Sequence, residues 1–277
     1  MKTRENENIE IDLLIQAIYL KYGYDFNDYS KASIRRRVLG RLSKSGLSTI
    51  SEMQHKLLYD QRFFEELLLD LTINVSEMFR DPSFFKAVRE MVAPALKKLP
   101  FIKVWHAGCA TGEEVYSMAI LLREEGIFDV ATIYATDVNE AVLEKAKKGI
   151  FPIDKMKDFT RNYGLAGGLA SFADYYTARY DGTIMDRGLR KNIVFSDHNL
   201  VTDGVFGEMD LIICRNVLIY FNRDLQDRVF GLFTDSLRTG GFLCLGSKET
   251  MMFSKYANSF ETAVKKEKIY RRVEVSK

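Results

Sequence analysis

The chain has 277 residues, 47% hydrophobic and 28% charged, with a net charge of only +2, which allows one large α/β domain and a small companion. So small a basic excess argues against a nucleic-acid binder, and no apolar run reaches the roughly 18 residues needed to span a bilayer. The polar start, Met1 to Asn8, carries no apolar core of a secretory signal.

Residues 9 to about 80 read as helical throughout. Apolar positions recur at helical spacing from Ile11 to Ile18 and again from Phe63 to Leu69. Asp81 and Pro82 open a further helix as N-cap and first-turn proline, and Pro94 and Pro100 mark 81–100 as a linker helix. From Phe101 strands and helices alternate. Strands are expected at Ile102–His106, Ala131–Thr136, Asn192–Phe195, Leu211–Cys214, Gly241–Leu245 and Lys268–Arg272, and helices over Glu113 to about Glu125, Glu140–Lys148 and Leu225–Leu237. That alternation predicts a doubly wound α/β sheet. Cys109, Cys214 and Cys244 have no paired spacing and read as reduced thiols of a cytoplasmic protein. His55, His106 and His198 are scattered without metal-ligand spacing, so no metal is expected.

Chemistry gathers at the carboxyl ends of the strands, where open α/β sheets bind ligands. The loop Ala107 to Glu114 carries Gly108 and Gly112, which permit a tight turn and close backbone approach. It is neither a dinucleotide GxGxxG nor a Walker loop, and Glu113 and Glu114 at the helix start would repel a phosphate. A ligand with a positive centre suits it, and S-adenosylmethionine, with its sulfonium and ammonium, is such a ligand. Asp137 ends the second strand, placed to accept ribose hydroxyls or to cap the next helix. Asn199 and Leu200 follow the next strand, and Arg215 and Asn216 the one after, with Tyr220 four residues beyond Asn216. The alternatives are that Arg215 and Asn216 cap their strand and that Tyr220 packs.

Asn74-Val-Ser-Glu-Met-Phe-Arg-Asp81, Ala110-Thr-Gly-Glu-Glu114, Ala135-Thr-Asp137 and Cys214-Arg-Asn-Val-Leu-Ile-Tyr-Phe221 together resemble the chemotaxis-receptor glutamate methyltransferases, the CheR family. The last motif is the most specific to that family. The resemblance spans nearly the whole chain. It implies a Rossmann-like S-adenosylmethionine-dependent methyltransferase domain over 101–277, a small all-helical domain over 1–80, and a β-subdomain inserted near 151–191. It also implies that Asn74, Ser76, Arg80, Glu114, Asp137, Asn199, Leu200, Arg215 and Asn216 line the cofactor pocket, where Gly108 shapes the loop. Ser76 keeps the hydroxyl of the family's usual threonine. Arg80 and Tyr220 are the expected catalytic residues. Arg80 would grip a carboxylate through its planar fork, and Tyr220 would fix one oxygen of the accepting glutamate.

The run from Ile34 to Lys44 places Arg37, Arg41 and Lys44 in one basic stripe beside an apolar one. A charged face is often merely solvated; with an acidic substrate, the stripe is expected to steer receptor helices by charge. The partners expected are the cytoplasmic helices of methyl-accepting chemoreceptors. Family members that tether to a receptor's carboxyl-terminal pentapeptide have a longer, glycine-rich loop in the subdomain. Here Tyr176–Tyr180 and Thr183–Met185 form a compact hairpin about Asp181 and Gly182, so docking independent of the pentapeptide is expected. Competing readings are a cofactor-binding signalling adaptor without turnover, and nucleic-acid base methylation. The latter is disfavoured because Pro82, Pro94, Pro100 and Pro152 never form the adjacent pair of amino-methylating motifs.

Overall fold

The computed structural model describes residues 2–72, 76–180 and 182–274. It divides into two compact units, residues 1–74 together with 220–226, and residues 75–219 together with 227–277.

The first unit is helical: α1 (Lys2–Tyr22), α2 (Lys31–Ser45), α3 (Ile50–Tyr59) and α4 (Gln61–Leu71). Its boundaries are written in side chains. Thr49 and Glu52 form a reciprocal capping box at the start of α3. Asp60 ends α3 and caps α4, its carboxylate accepting from the N–H groups of Arg62 and Phe63. Leu14, Ile18, Val38, Met53, Leu57, Leu67 and Leu71 are fully buried in the core between these helices, each contributing about 1.5–3 kcal/mol of transfer free energy. The segment 220–226 belongs to this unit although it follows a sheet strand in sequence. Ser30 N–H donates to the Tyr220 carbonyl at 2.7 Å and Asn222 N–H to the Asp28 carbonyl at 2.8 Å. The rings of Tyr29 and Phe221 meet edge to face at 4.9 Å.

The second unit opens with α5 (Pro82–Ala87), a five-residue π turn (Val88–Val92) and α6 (Ala93–Leu96). The segment expected as a linker helix over 81–100 is helical from Pro82 to Leu96. Phe84, Phe85, Val88, Val92 and Leu96 are buried in the main core of this unit, because their spacing presents one continuous apolar face. Then follow β1 (Ile102–Ala107), α7 (Glu113–Glu124), β2 (Ala131–Asp137), α8 (Glu140–Lys148), β3 (Ile150–Pro152), α9 (Met156–Leu165), β4 (Tyr176–Arg179), β5 (Gly182–Met185) and α10 (Arg187–Arg190). The chain continues through β6 (Ile193–Asp197), β7 (Met209–Cys214), α11 (Arg223–Ser236, whose first residues lie in the helical unit), β8 (Leu237–Leu245), β9 (Phe260–Val264) and β10 (Ile269–Arg272).

The main sheet has the order β6-β2-β1-β7-β8-β10-β9. The pairs from β6 to β8 are parallel, while β10 runs antiparallel to both β8 and β9. The fold is thus the expected Rossmann-like α/β sheet with an all-helical amino-terminal part. Every residue of β7 is buried, as a central parallel strand requires. The chain leaves β1 toward β2 on one side and returns to β7 on the other, so the order reverses between β1 and β7. Such a switch point opens a crevice at the carboxyl ends of the strands.

A second sheet, β3-β5-β4, is antiparallel. Arg179 pairs with Gly182, so Gly182, expected in the turn, is already the first residue of β5. Tyr180 takes the left-handed conformation at φ +49°, and Asp181 lies outside the described residues.

Candidate functional site

The site layer begins at the end of β1. The loop after Ala107 turns through three left-handed residues, Gly108, Ala110 and Gly112, at φ +79°, +48° and +93°. A side chain at Gly108 would place its Cβ 2.6 Å from Val217 Cγ2, in the turn after β7, so this glycine lets the two central loops touch. Gly108 and Cys109 N–H donate to the Thr136 carbonyl at 2.9 and 2.8 Å, and Ala110 N–H donates to Asp137 Oδ2 at 2.9 Å. Asp137 Oδ1 accepts from Asn139 N–H at 3.0 Å. Burial pushes the Asp137 carboxyl up against these backbone donors, which favour its charge. Asp137 does not cap α8; that cap is Asn139, whose Oδ1 accepts from Ala141 N–H at 3.0 Å. The Asp137 carboxylate keeps acceptor capacity beyond its backbone donors, Ala110, Val138 and Asn139.

Across the crevice, Arg215 is the hub. Its Nη1 lies 2.6 Å from Glu114 Oε2 and its Nη2 2.6 Å from Asp81 Oδ2. Nη1 also donates to the Arg80 carbonyl at 3.3 Å, and the guanidinium stands 4.0 Å from the centre of the Phe84 ring. Burial works against the charge of Glu114, yet Arg215 and the His106 ring, 3.5 Å away, hold its carboxyl down to about 2. Neighbouring Glu113 moves the other way. Burial pushes it up, opposed by the hydroxyls of Thr111 and Ser76.

Arg80 sits between two non-glycine residues in the left-handed region, Phe79 at φ +51° and Asp81 at φ +55°, a local strain of the kind that marks functional turns. Phe79 N–H is tied to Ser117 Oγ at 2.9 Å. Because Asp81 is taken by Arg215, Arg80 forms no ion pair among the described residues. Asn199 lies on the turn after β6. Its Oδ1 accepts from Val201 N–H at 2.9 Å, and Leu200 beside it is buried. Asn74 lies outside the described residues.

Tyr220 belongs to the helical unit, where its ring packs 4.5 Å from the Arg37 guanidinium carbon. The expected basic stripe is corrected on this evidence. Arg37 is buried and donates to the Leu71 carbonyl at the end of α4, while Arg41 is bound by Glu66 and Asp70 at 2.6 and 2.5 Å. Lys44 pairs with Asp70 at 3.1 Å but stays 66% exposed. Helical spacing placed the three cations together correctly; the acidic face of α4 that neutralises Arg41 and Lys44 could not be seen from α2 alone.

The sequence reading passed over Glu249 and Gly246, which bind the turn after β7 from the end of β8. The available signal was a glycine followed three residues later by an acid, immediately after a strand. Among the described residues the buried Nε of Arg215 and both ring nitrogens of His106 make no hydrogen bond, His106 Nδ1 approaching Glu114 Oε1 only to 3.5 Å. Half-buried acids beside an unmatched guanidinium donor suit a ligand bearing both an ammonium and a carboxylate, and Asp137 suits its ribose. These residues fit S-adenosylmethionine.

A Rossmann-like domain with a glycine turn and an acid at successive strand ends defines the class of nucleoside-binding α/β enzymes. Within that class the chain matches two family models, "CheR methyltransferase, SAM binding domain" over residues 74–269 and "CheR methyltransferase, all-alpha domain" over residues 9–72. It belongs to the CheR methyltransferase family, and its activity is S-adenosylmethionine-dependent methyl transfer. It is 56% identical over 98% of its length to the whole of a Pseudomonas putida chain bearing the name "Putative methyltransferase Cher3". It is also 32% identical, over 83% of its length and 86% of the relative's, to the "Chemotaxis protein methyltransferase" of Listeria innocua. Among solved structures it is similar to the N-methyltransferase NodS of Bradyrhizobium japonicum with S-adenosyl-L-homocysteine, at 12% identity and a TM-score of 0.35 over 70% of each chain, too distant to bear on the site.

Proposed function

We infer that this chain is a protein-glutamate O-methyltransferase acting on the cytoplasmic helices of chemoreceptors. The observation that carries the reading is Arg80, a guanidinium on a strained turn at the site, which forms no ion pair among the described residues because Asp81 is bound by Arg215. The name of the Listeria relative supports it. Bound S-adenosylmethionine supplies a methyl group on a sulfonium, whose C–S bond electrons return to sulfur as the methyl leaves. A glutamate side chain, with an unperturbed pKa of about 4.3, is already a carboxylate at neutral pH, so no general base is required. The protein's task is orientation, worth about 7–11 kcal/mol in well-aligned systems. Arg80 holds a carboxylate through its fork, Asp137 takes the ribose hydroxyls, and Ser76, Asn199 and Leu200 complete the cofactor's surroundings with Glu114, Arg215 and Asn216. Tyr220 donates to one oxygen of the accepting glutamate and leaves the other to attack the methyl carbon. Incubation with methyl-labelled cofactor and receptor cytoplasmic fragments tests the reaction. Label released as methanol in base identifies carboxyl esters; base-stable label would mean amine methylation and refute the reading.

Recruitment in this reading is direct, independent of a receptor tail pentapeptide. The four-residue strands β4 and β5 leave a short hairpin edge for an added strand, and Arg36 and Lys44 remain exposed on α2. Titration of a free tail pentapeptide is expected to show no saturation at micromolar concentrations. Saturable binding lost on changing Gly182 would overturn that expectation.

A further inference from the structure

The loop after β8 is fastened to the turn after β7 by one side chain. Glu249 is 4% exposed, and its carboxylate collects backbone donors from Gly246 and from the turn at 216–219. Oε2 accepts from Gly246 N–H at 2.5 Å and Asn216 N–H at 3.0 Å; Oε1 accepts from Val217 N–H at 2.9 Å and Ile219 N–H at 3.4 Å. Three of those donors belong to the turn that carries Arg215 and Asn216, and Asn216 is held there at φ +62°. Val217 in turn fills the space above Gly108, so the glycine loop after β1 rests on the same turn. Gly246 completes the arrangement, since a Cβ there would lie 2.7 Å from Glu249 Oε2 and 2.9 Å from Asn216 N.

We propose that Glu249 is the positioning residue of the cofactor site, setting through Asn216 and Val217 the place of both loops that face the cofactor. The inference rests on the assignment of that site to S-adenosylmethionine. A carboxylate is required chemically: converging N–H groups need acceptors only, and a glutamine would turn its own NH2 toward some of them. Removing acceptors from buried amides leaves them unsatisfied, and the turn that relaxes is the one bearing Arg215 and Asn216.

A second buried carboxylate supplies the control. Glu124 accepts from Arg89, Tyr163, Tyr175 and Leu169 N–H, a comparable load in residues outside the cofactor layer. Calorimetric titration with S-adenosylhomocysteine, beside thermal melts, separates the two roles. Glu249→Gln and Gly246→Ala are each expected to weaken binding at least tenfold and to raise KM for the methyl donor more than they lower kcat. Glu124→Gln is expected to lower Tm and leave the Kd within twofold. Should Glu249→Gln fail to fold, Gly246→Ala decides the matter, because it keeps the carboxylate and disturbs only its junction with Asn216. A folded Glu249→Gln, or a folded Gly246→Ala, that binds within twofold of the parent overturns the proposal. A parent protein that binds no S-adenosylhomocysteine instead overturns the cofactor assignment beneath it.

Discussion

Arg80 and Asp81 are neighbours in the chain with opposite fates, because the left-handed turn around them sends one side chain to Arg215 and leaves the other without an ion pair among the described residues. Nothing in the residue types announces that division. The motif located both residues, but the partner of Asp81 lies 134 positions away, beyond the reach of local pattern. Asp137 was legible as a strand-end carboxylate, whereas its bracing of Ala110 was not, since that bond depends on a left-handed alanine. Asp137→Ala removes both the brace and the ribose acceptor. It is expected to weaken S-adenosylhomocysteine binding by more than the roughly 1.5–3 kcal/mol of a charge-assisted bond alone, as calorimetry would show. Unchanged affinity would remove Asp137 from the site. Glu114 carries a pH prediction. Its folded carboxyl is depressed to about 2, so its contribution is fully present above the unfolded value and is lost as pH falls through the folded one. At about 1.4 kcal/mol per pH unit the depression corresponds to roughly 3 kcal/mol. Glu113, Asp137 and Glu249, all raised by burial, act with the opposite sign, so the parent's own profile mixes both effects. The difference between parent and Glu114→Gln isolates Glu114. In urea denaturation that difference is expected to narrow steadily from about pH 5 toward pH 2; a constant gap would contradict the ion-pair assignment.

At the scale of elements, periodicity was a reliable guide wherever one face met one core. The helix over Glu140–Lys148 and the strand at Leu211–Cys214 were legible because apolar spacing and burial agree there. It failed for β9, an edge strand whose Glu261 and Thr262 are exposed and which therefore lacks an apolar signature. The helix opened by Asp81 and Pro82 is where the sequence expects it, while Pro94, read with Pro100 as a linker mark, stands in the first turn of a short helix. α2 is the instructive case. Its cations divide into Arg37, which is buried beneath Tyr220, and Lys44, which is solvated. Arg37→Ala is expected to depress the methylation rate at saturating receptor and to be indifferent to salt, since a buried contact is little screened. Lys44→Ala should act on the receptor concentration required, with a defect that shrinks as salt rises. Steady-state kinetics across ionic strength would expose the reverse pattern if Arg37 were a surface docking residue after all.

At the scale of the whole molecule, the helical unit is discontinuous. Residues 220–226 depart from the sheet immediately after the β7 turn and join 1–74, where Asp28, Tyr29, Ser30 and Arg37 hold them. A boundary drawn in sequence alone has to be a single cut near residue 80, because no local signal marks a segment whose partners lie some two hundred positions upstream. The consequence is testable by dissection. A fragment of residues 74–277 retains Asn74, the β1, β2, β6 and β7 strand ends, the Arg215 pairs and the Glu249 junction. It is expected to bind S-adenosylhomocysteine within about threefold of the full chain, a difference of under roughly 1 kcal/mol. The same fragment strips Tyr220 of the Arg37 guanidinium and the Ser30 hydrogen bond, and strips Phe221 of the Tyr29 ring. Tyr220 then has no fixed place, and methyl transfer should fall by about two orders of magnitude or more, as expected when a positioned donor is lost. Adding residues 1–74 in trans should restore turnover as 220–226 regains its partners. A fragment that methylates receptor as fast as the whole chain would show that Tyr220 needs no holding by the helical unit, and would remove it from the catalytic assignment.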